Sequence, residues 1–164
     1  MKHWVTARVS SIVSRTSRGV LTATVATVVA GSVVLAQNSY PILTLDHFVR
    51  TMKTLGPNFA GATAALANNN YETAKERITR SREQLATTIT FWRDNQKDDA
   101  IAFLRDTVRK MDDLDAALSV DSIDSVTVNA LAAEIGAACQ ACHMVYRDQD
   151  PVTKEYRLKP GSVD

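Results

Sequence analysis

Two cysteines and a histidine near the C-terminal end of the sequence have a spacing that suits haem chemistry. Cys139 and Cys142 are separated by two residues, and His143 follows directly. This C-x-x-C-H order is the attachment signature of a c-type haem. The two thiols can add across the porphyrin vinyl groups as thioethers, and the imidazole can ligate the iron. Because the chain has only 2 cysteines, we predict that they hold one haem c per chain.

A helix would present these three side chains together. Residues three and four apart lie on the same helical face, so Cys139, Cys142 and His143 would point to one side. A thioredoxin-like redox motif fits less well, because it needs a βαβ setting and no strand pattern surrounds the motif. A structural zinc site also fits less well, because it needs four ligands and the other histidines, His3 and His47, are isolated.

The first 36 residues have the pattern of an export signal. This segment carries basic residues and no acidic ones, and an apolar run rich in Val, Ala and Thr extends from Val20 to Ala36. Small or modest side chains over residues 34–36 favour signal peptidase cleavage after Ala36. We therefore predict a periplasmic protein, since haem attachment to this motif normally happens on the exported side. The alternative is a membrane anchor, for which a run of about 17 residues is short.

Removal of residues 1–36 changes the charge balance of the chain. Of the 19 Lys and Arg residues, four are lost (Lys2, Arg8, Arg15 and Arg18), which leaves 15 against 18 acidic residues and a formal charge of −3. A net negative charge argues against nucleic acid as a partner. The length predicts a single domain over residues 37–148. Residues 149–164 are polar, and we expect an irregular tail there.

Apolar periodicity predicts the fold. Apolar residues recur at steps of three and four over residues 45–67, 71–93 and 98–118, and from just after residue 122 or 124 to about 147. Pro57, which follows Gly56, should kink the first helix or split it into two segments. Four helices with short connections predict an all-α protein. Its expected architecture is an antiparallel up-down-up-down four-helix bundle, with the haem on the last helix.

At this point the sequence resembles a known family, the class II c-type cytochromes, which include cytochrome c′ and cytochrome c-556. The stretch Cys139–Arg147, CQACHMVYR, matches the family pattern C-x-x-C-H-x-x-Y/F-R. The stretch Phe48–Lys53, FVRTMK, resembles the family's first-helix segment that ends in Met-Lys. The resemblance spans about residues 40–148. One departure is Phe48, which stands where the family often has an arginine, so we do not expect that arginine's contact with a haem propionate here.

The resemblance implies roles for the motif residues. Cys139 and Cys142 would hold the haem, and His143 would be the proximal iron ligand. Arg147 lies one turn after His143 and could approach the proximal face or a propionate. The alternative for Arg147 is a solvated side chain at the end of the helix.

The two branches of the family differ in what occupies the sixth coordination site of the iron. In the c-556 branch, a methionine at the position of Met52 ligates the iron. In the c′ branch, the distal residue is apolar and the five-coordinate iron binds only small gases such as NO or CO. Taken alone, Met52 is more often a core residue, but the Met-Lys match makes us favour ligation. His47 is the rival, and it lies on a different face of the helix.

The iron site determines the predicted function. His/Met ligation raises the reduction potential and suits one-electron transfer. We predict a periplasmic electron carrier that meets redox partner proteins through weak, transient contacts. The alternative is a c′-like protein that binds NO or CO. We do not expect an enzyme, because the chain offers no convincing distal His and Arg pair for a peroxidase. A homodimer is possible: Tyr71, Ile78 and Leu85 recur every seven residues, which fits helix pairing or a monomer core equally well.

Overall fold

The computed structural model describes residues 43–163, and these are mostly helical. The helices are α1 (Leu45–Ala67), α2 (Tyr71–Thr87), α3 (Ile89–Asp94), α4 (Asp98–Ala117) and α5 (Ser125–Tyr146). Strands β1 (Arg147–Gln149) and β2 (Tyr156–Leu158) follow. The prediction of an all-α protein is confirmed. The predicted signal peptide and its cleavage site lie outside the described residues. Within residues 43–163, no helix is both long and apolar enough to span a membrane.

The side chains of the residues directly before α1, α2 and α5 determine where these helices begin. The side chains of Thr44, Asn70 and Asp124 each accept hydrogen bonds from backbone N–H groups in the first turn of α1, α2 and α5. These are the residue types preferred at the N-cap, because a short polar side chain can reach the unpaired N–H groups. These caps explain the observed starts at residues 45, 71 and 125, the last of which decides between the two starts expected after residue 122 or 124.

Helix α1 continues through Pro57, so of the two outcomes expected for this proline, a kink or a split, the split does not occur. Proline has no N–H and frees the carbonyl of the residue four positions earlier, here Lys53. Lys53, Gly56 and Pro57 are all exposed, so water can reach this side of the helix. Glycine before the proline also relieves the clash that a Cβ would make with the proline ring. The buried residues Leu55 and Ala62 on the opposite side keep both halves packed on the core.

The helix predicted over residues 71–93 is in fact two helices that meet at Thr88. The residues around the break, from Thr87 to Thr90, are all β-branched, which lowers helix propensity. The Thr88 hydroxyl is fully buried and donates a hydrogen bond to the carbonyl oxygen of Leu85 at 2.6 Å. This side-chain bond competes with the regular helical ladder and stabilises the break.

In the contacts between neighbouring helices, residues that come later in one helix meet residues that come earlier in the other. Gln84 of α2 bonds to Thr54 and Asn58 of α1, while Gly61, further along α1, faces Arg77, earlier in α2. The same reversal relates α2 to α4 (Lys75 with Ser119 just after α4, and Arg82 with Asp112) and α4 to α5 (Asp99 with Tyr146, Lys110 with Glu134). Phe59 of α1 lies beside Gly136 of α5. The largest fully buried side chains lie between these helices: Trp92, Leu66, Ile78, Met111, Leu114 and Ile135.

The C-terminal segment forms an antiparallel hairpin, so the expectation of an irregular tail is wrong. Arg147 pairs with Leu158, and Gln149 pairs with Tyr156. The turn is held by Asp150, whose carboxylate accepts hydrogen bonds from two backbone N–H groups. After the hairpin, the backbone N–H of Lys159 donates to the carbonyl oxygen of Tyr146 at 2.9 Å. The segment therefore folds back onto the end of α5.

Candidate functional site

A cleft lies between α1 and α5, with the hairpin at its edge. It encloses about 980 Å³ of empty space, its open mouth included. All five predicted site residues border this cleft: Met52, Cys139, Cys142, His143 and Arg147. The inner wall consists of buried residues from α1 to α5, namely Phe48, Leu55, Leu85, Trp92, Leu104, Thr107 and Tyr146. Residues that are distant in the sequence are thus brought together around one space.

Both cysteines are half-buried, uncrosslinked thiols on α5. Burial raises the pKa of Cys139. Burial also raises the pKa of Cys142 to about 11, with smaller contributions from the charges of Cys139 and Asp99. At neutral pH both groups are therefore thiols. A thiolate is the form that binds metals or attacks disulfides, so these cysteines are poorly suited to either role.

The imidazole of His143 is neutral and lacks a partner. Burial, together with a smaller effect of the positive charge of Arg147, lowers its pKa to about 4. Its Nδ1 atom is buried and has no hydrogen-bond partner among the described residues. Neutral imidazole is the form that ligates metals. The ring is therefore in the correct protonation state to be a ligand.

Met52 borders the cleft from α1, across from the motif on α5, and packs against the core. The rival ligand His47 does not border the cleft: it is exposed, and its Nδ1 lies 3.0 Å from the hydroxyl of Thr44 at the helix start. Met111 is fully buried within the core, and Met144 is 71% exposed. Of the candidate sixth ligands on α1, only Met52 is placed on the cleft.

An aromatic cluster forms the inner wall. The rings of Trp92 and Tyr146 are 4.5 Å apart, and Phe48 stacks on Phe91 at 4.3 Å. The Tyr146 hydroxyl donates a 2.6 Å hydrogen bond to Asp99. This bond holds the pKa of Asp99 below its usual value, while burial and then the same bond raise the pKa of Tyr146. Trp92 Nε1 is buried without a partner in the described residues, so the wall has a free N–H donor.

The sequence interpretation missed the contribution of the hairpin to the cleft. Tyr156, Arg157 and Leu158 border it beside Arg147. The only signal in the sequence was the alternation of apolar and charged residues over Tyr156, Arg157 and Leu158. Three residues are too few to distinguish a strand from a loop. Trp92 lies in the stretch 71–93 whose apolar periodicity predicted a helix, but periodicity could not show that it borders a cleft.

The chemistry of these residues fits an iron porphyrin held through sulfur. The inner wall is apolar, and the donors available are two thiols, one neutral imidazole and one thioether. Within residues 43–163, no group of three or more His, Cys, Asp or Glu side chains is placed to hold a metal ion by itself. A zinc centre made only of protein ligands is therefore not supported in this part of the chain.

Comparisons with known proteins add no relative. No protein-family model matches the chain, and no curated protein or solved structure matches it. The resemblance to class II cytochromes thus depends on the residues named above.

Proposed function

We propose that this protein is a periplasmic c-type cytochrome that carries one electron through a covalently attached haem. Cys139 and Cys142 would hold the haem through thioether bonds, and His143 and Met52 would ligate its iron. One observation carries the proposal: Met52 of the first helix and the C-x-x-C-H motif of the last border the same apolar cleft.

We also propose that the helices form an antiparallel up-down-up-down four-helix bundle, with α2 and α3 together acting as one helix of the four. The reversed contacts of α1 with α2, α2 with α4 and α4 with α5 support this arrangement. In such bundles, cofactors bind in the core between facing helices. A cleft bordered by residues of both α1 and α5 is compatible with that mode of binding.

The residues around the cleft would control the reaction as follows. When bound, the haem supplies the one-electron redox chemistry, with a potential raised by His/Met ligation. The apolar wall would exclude water. His143, neutral through burial, would need to lose no proton to ligate iron. The bond between Asp99 and Tyr146 would hold the last turn of α5, and with it His143, against α4.

Export and partners belong to the same proposal. Residues 1–36 would direct the chain to the periplasm, with an uncleaved membrane anchor as the alternative. The mature charge of −3, from 15 basic and 18 acidic residues, suits transient contacts with redox proteins rather than with nucleic acid. Pairing of two copies remains compatible with this role.

One observation favours the c′-like alternative, in which NO or CO binds at the sixth site. Gly56 lies one turn after Met52 and borders the cleft, and a Cβ built on it would meet no atom within 4 Å. The cleft therefore has open space beside Met52. A small gas could enter there if Met52 did not ligate the iron or could be displaced.

The absorption spectrum of the exported protein, oxidised and reduced, tests the proposal. We expect a low-spin spectrum that CO does not change. Met52→Leu should become high-spin and bind CO, while the control Met111→Leu, in the core away from the cleft, should match the wild type.

A high-spin wild-type spectrum that shifts with CO would instead establish gas binding and leave Met52 as a packing residue. If the exported protein carries no haem, both functions are wrong.

A further inference from the structure

The hairpin places a cation and an aromatic ring together on the rim of the cleft. Arg147 is the first residue of β1, and Tyr156 is the first residue of β2. The guanidinium carbon of Arg147 lies 4.1 Å from the centre of the Tyr156 ring. This distance is well within the range of a cation–π interaction. Both residues border the cleft, so the ring supports the guanidinium at its edge.

The acidic groups of the hairpin are paired with a different arginine. The guanidinium of Arg157 contacts Asp148 at 3.5 Å and Asp150 at 3.2 Å. Across the cleft, Lys53 of α1 lies 4.0 Å from Glu155. Among the ion pairs of residues 43–163, none involves Arg147. A guanidinium has five N–H donors in a planar fork, so Arg147 can still bind an anionic group.

The cofactor proposed for this cleft carries such groups. A haem has two propionates, and these carboxylates need cationic or hydrogen-bonding partners when they lie against protein. Helix α1 does not supply an arginine at the position of Phe48, which is buried and stacks on Phe91. Three cations border the cleft, Lys53, Arg147 and Arg157, and of these only Arg147 has no ion pair among the described residues.

We propose that Arg147 binds a haem propionate and that Tyr156 is the residue that positions it. This inference rests on the proposed function. The stacked ring restricts the long side chain before the carboxylate arrives, which reduces the conformational entropy lost on binding. Planar guanidinium groups favour this kind of stacking and bind carboxylates through two parallel hydrogen bonds. The hairpin would then be part of the cofactor site rather than a tail.

Resonance Raman spectroscopy and redox titration of the exported, haem-loaded protein test this proposal. The propionate bending band reports hydrogen bonding to the carboxylate, and the midpoint potential reports the charge near the iron. Arg147→Gln should shift the band and lower the potential, because the carboxylate charge loses its cation and the oxidised iron is then favoured. Arg147→Lys should keep the potential near the wild-type value.

The variants of Tyr156 separate positioning from simple packing. Tyr156→Leu removes the ring face and should shift the band and the potential in the same direction as Arg147→Gln, by a smaller amount. Tyr156→Phe keeps the ring and should behave as the wild type. Arg105→Gln removes an exposed cation of α4 that does not border the cleft, and it should change neither reading.

The outcomes distinguish this inference from the proposed function. If Arg147→Gln leaves the band and the potential unchanged in a protein that holds its haem, Arg147 does not bind a propionate, and the cytochrome proposal stands. If Arg147→Gln shifts the band and the potential but Tyr156→Leu changes neither, Tyr156 does not position Arg147. If a loss of folding stability accompanies Tyr156→Leu without a spectral change, the ring is only a packing contact. A wild-type protein without haem would overturn both proposals.

Discussion

The hydrogen bond between Tyr146 and Asp99 connects the start of α4 to the last turn of α5. Tyr146 is buried, whereas Asp99 is exposed to solvent at the first turn of its helix. The carboxylate is stabilised as an anion by the phenol, which lowers the pKa of Asp99. The native state therefore gains stability from ionised Asp99. That stability is present above the ordinary pKa of an aspartate and is lost as the pH falls through the lowered value.

Removal of the Tyr146 hydroxyl should lower the free energy of unfolding by an amount that depends on pH. At pH 7, we expect Tyr146→Phe to lower the free energy of unfolding by about 1 kcal/mol. This is less than the roughly 1.5–3 kcal/mol of a hydrogen bond to a charged group, because water can solvate Asp99. The difference from the wild type should shrink below about pH 4, where aspartate begins to be protonated. Urea denaturation at pH 7 and pH 3 measures it.

Tyr71→Phe is the matched control for this prediction. The Tyr71 hydroxyl donates to the neutral amide of Asn69 at 2.9 Å. Its loss should have a cost that does not depend on pH between 3 and 7. If the loss of free energy of unfolding caused by Tyr146→Phe is also independent of pH, the charge of Asp99 does not contribute to stability.

The residues of the site differ in how far they could be predicted. Cys139, Cys142 and His143 could be proposed as site residues from spacing alone, because helical geometry places them on one face. Met52 needed the resemblance in addition, since an isolated methionine on an apolar face is usually core. Tyr156 could not be found, because its contact with Arg147 depends on a hairpin whose strands are only three residues long.

At the scale of the elements, the sequence periodicity predicted where helices lie but not how they are interrupted. Apolar spacing extends across Thr88 without a change of phase, so only the buried hydroxyl and its bond to Leu85 reveal the break. At Pro57 the helix continues although proline usually interrupts helices. The proline lies on an exposed side of α1, where the freed carbonyl can be hydrated. Burial, which is not visible in a single sequence, decided both cases.

Two glycines inside helices offer a matched test of this packing. A Cβ at Gly136 of α5 would meet only Phe59, at 3.9 Å, which is ordinary contact. A Cβ at Gly61 of α1 would lie 2.8 Å from the guanidinium carbon of Arg77. We expect Gly136→Ala to raise the free energy of unfolding by about 0.5–1 kcal/mol, because alanine loses less backbone entropy in a helix.

Gly61→Ala should give a smaller gain or a loss, because Arg77 must move. Chemical denaturation of both variants measures the difference. Equal gains would show that the arginine side chain moves aside at no cost. A loss for Gly136→Ala would mean that α1 and α5 approach each other more closely than the contact with Phe59 indicates.

At the scale of the whole molecule, the cleft is continuous with the hydrophobic core. Phe48, Leu85, Trp92 and Leu104 belong to the core and also border the cleft. A group that fills this space would cover one side of the core. A ligand that binds only the native state stabilises it, so we expect cofactor attachment and folding stability to be coupled.

The double variant Cys139→Ala, Cys142→Ala tests this coupling. Without the two sulfur links, the exported protein should not retain haem under denaturing conditions. Its free energy of unfolding should fall by on the order of 3 kcal/mol or more, with greater binding of the dye ANS to exposed apolar surface. Guanidinium denaturation and dye fluorescence measure these changes.

Gln140→Ala is the control for this variant, because Gln140 is exposed between the two cysteines and does not border the cleft. It should keep the haem and the wild-type stability. If the double variant were as stable as the wild type, the cleft would not depend on an attached group.

The position of Met52 on α1 and of His143 on α5, both bordering one cleft, also has a consequence for the order of events during folding. These two residues are far apart in the sequence, and the entropic cost of bringing them to the same cleft grows with the length of the loop between them. The pairs α1 with α2 and α4 with α5 are local and can form sooner, since contacts between near neighbours in sequence form fastest. The cleft is therefore among the last features to be completed, and we expect the thiols on α5 to stay accessible for attachment of the proposed haem until α1 packs against α5.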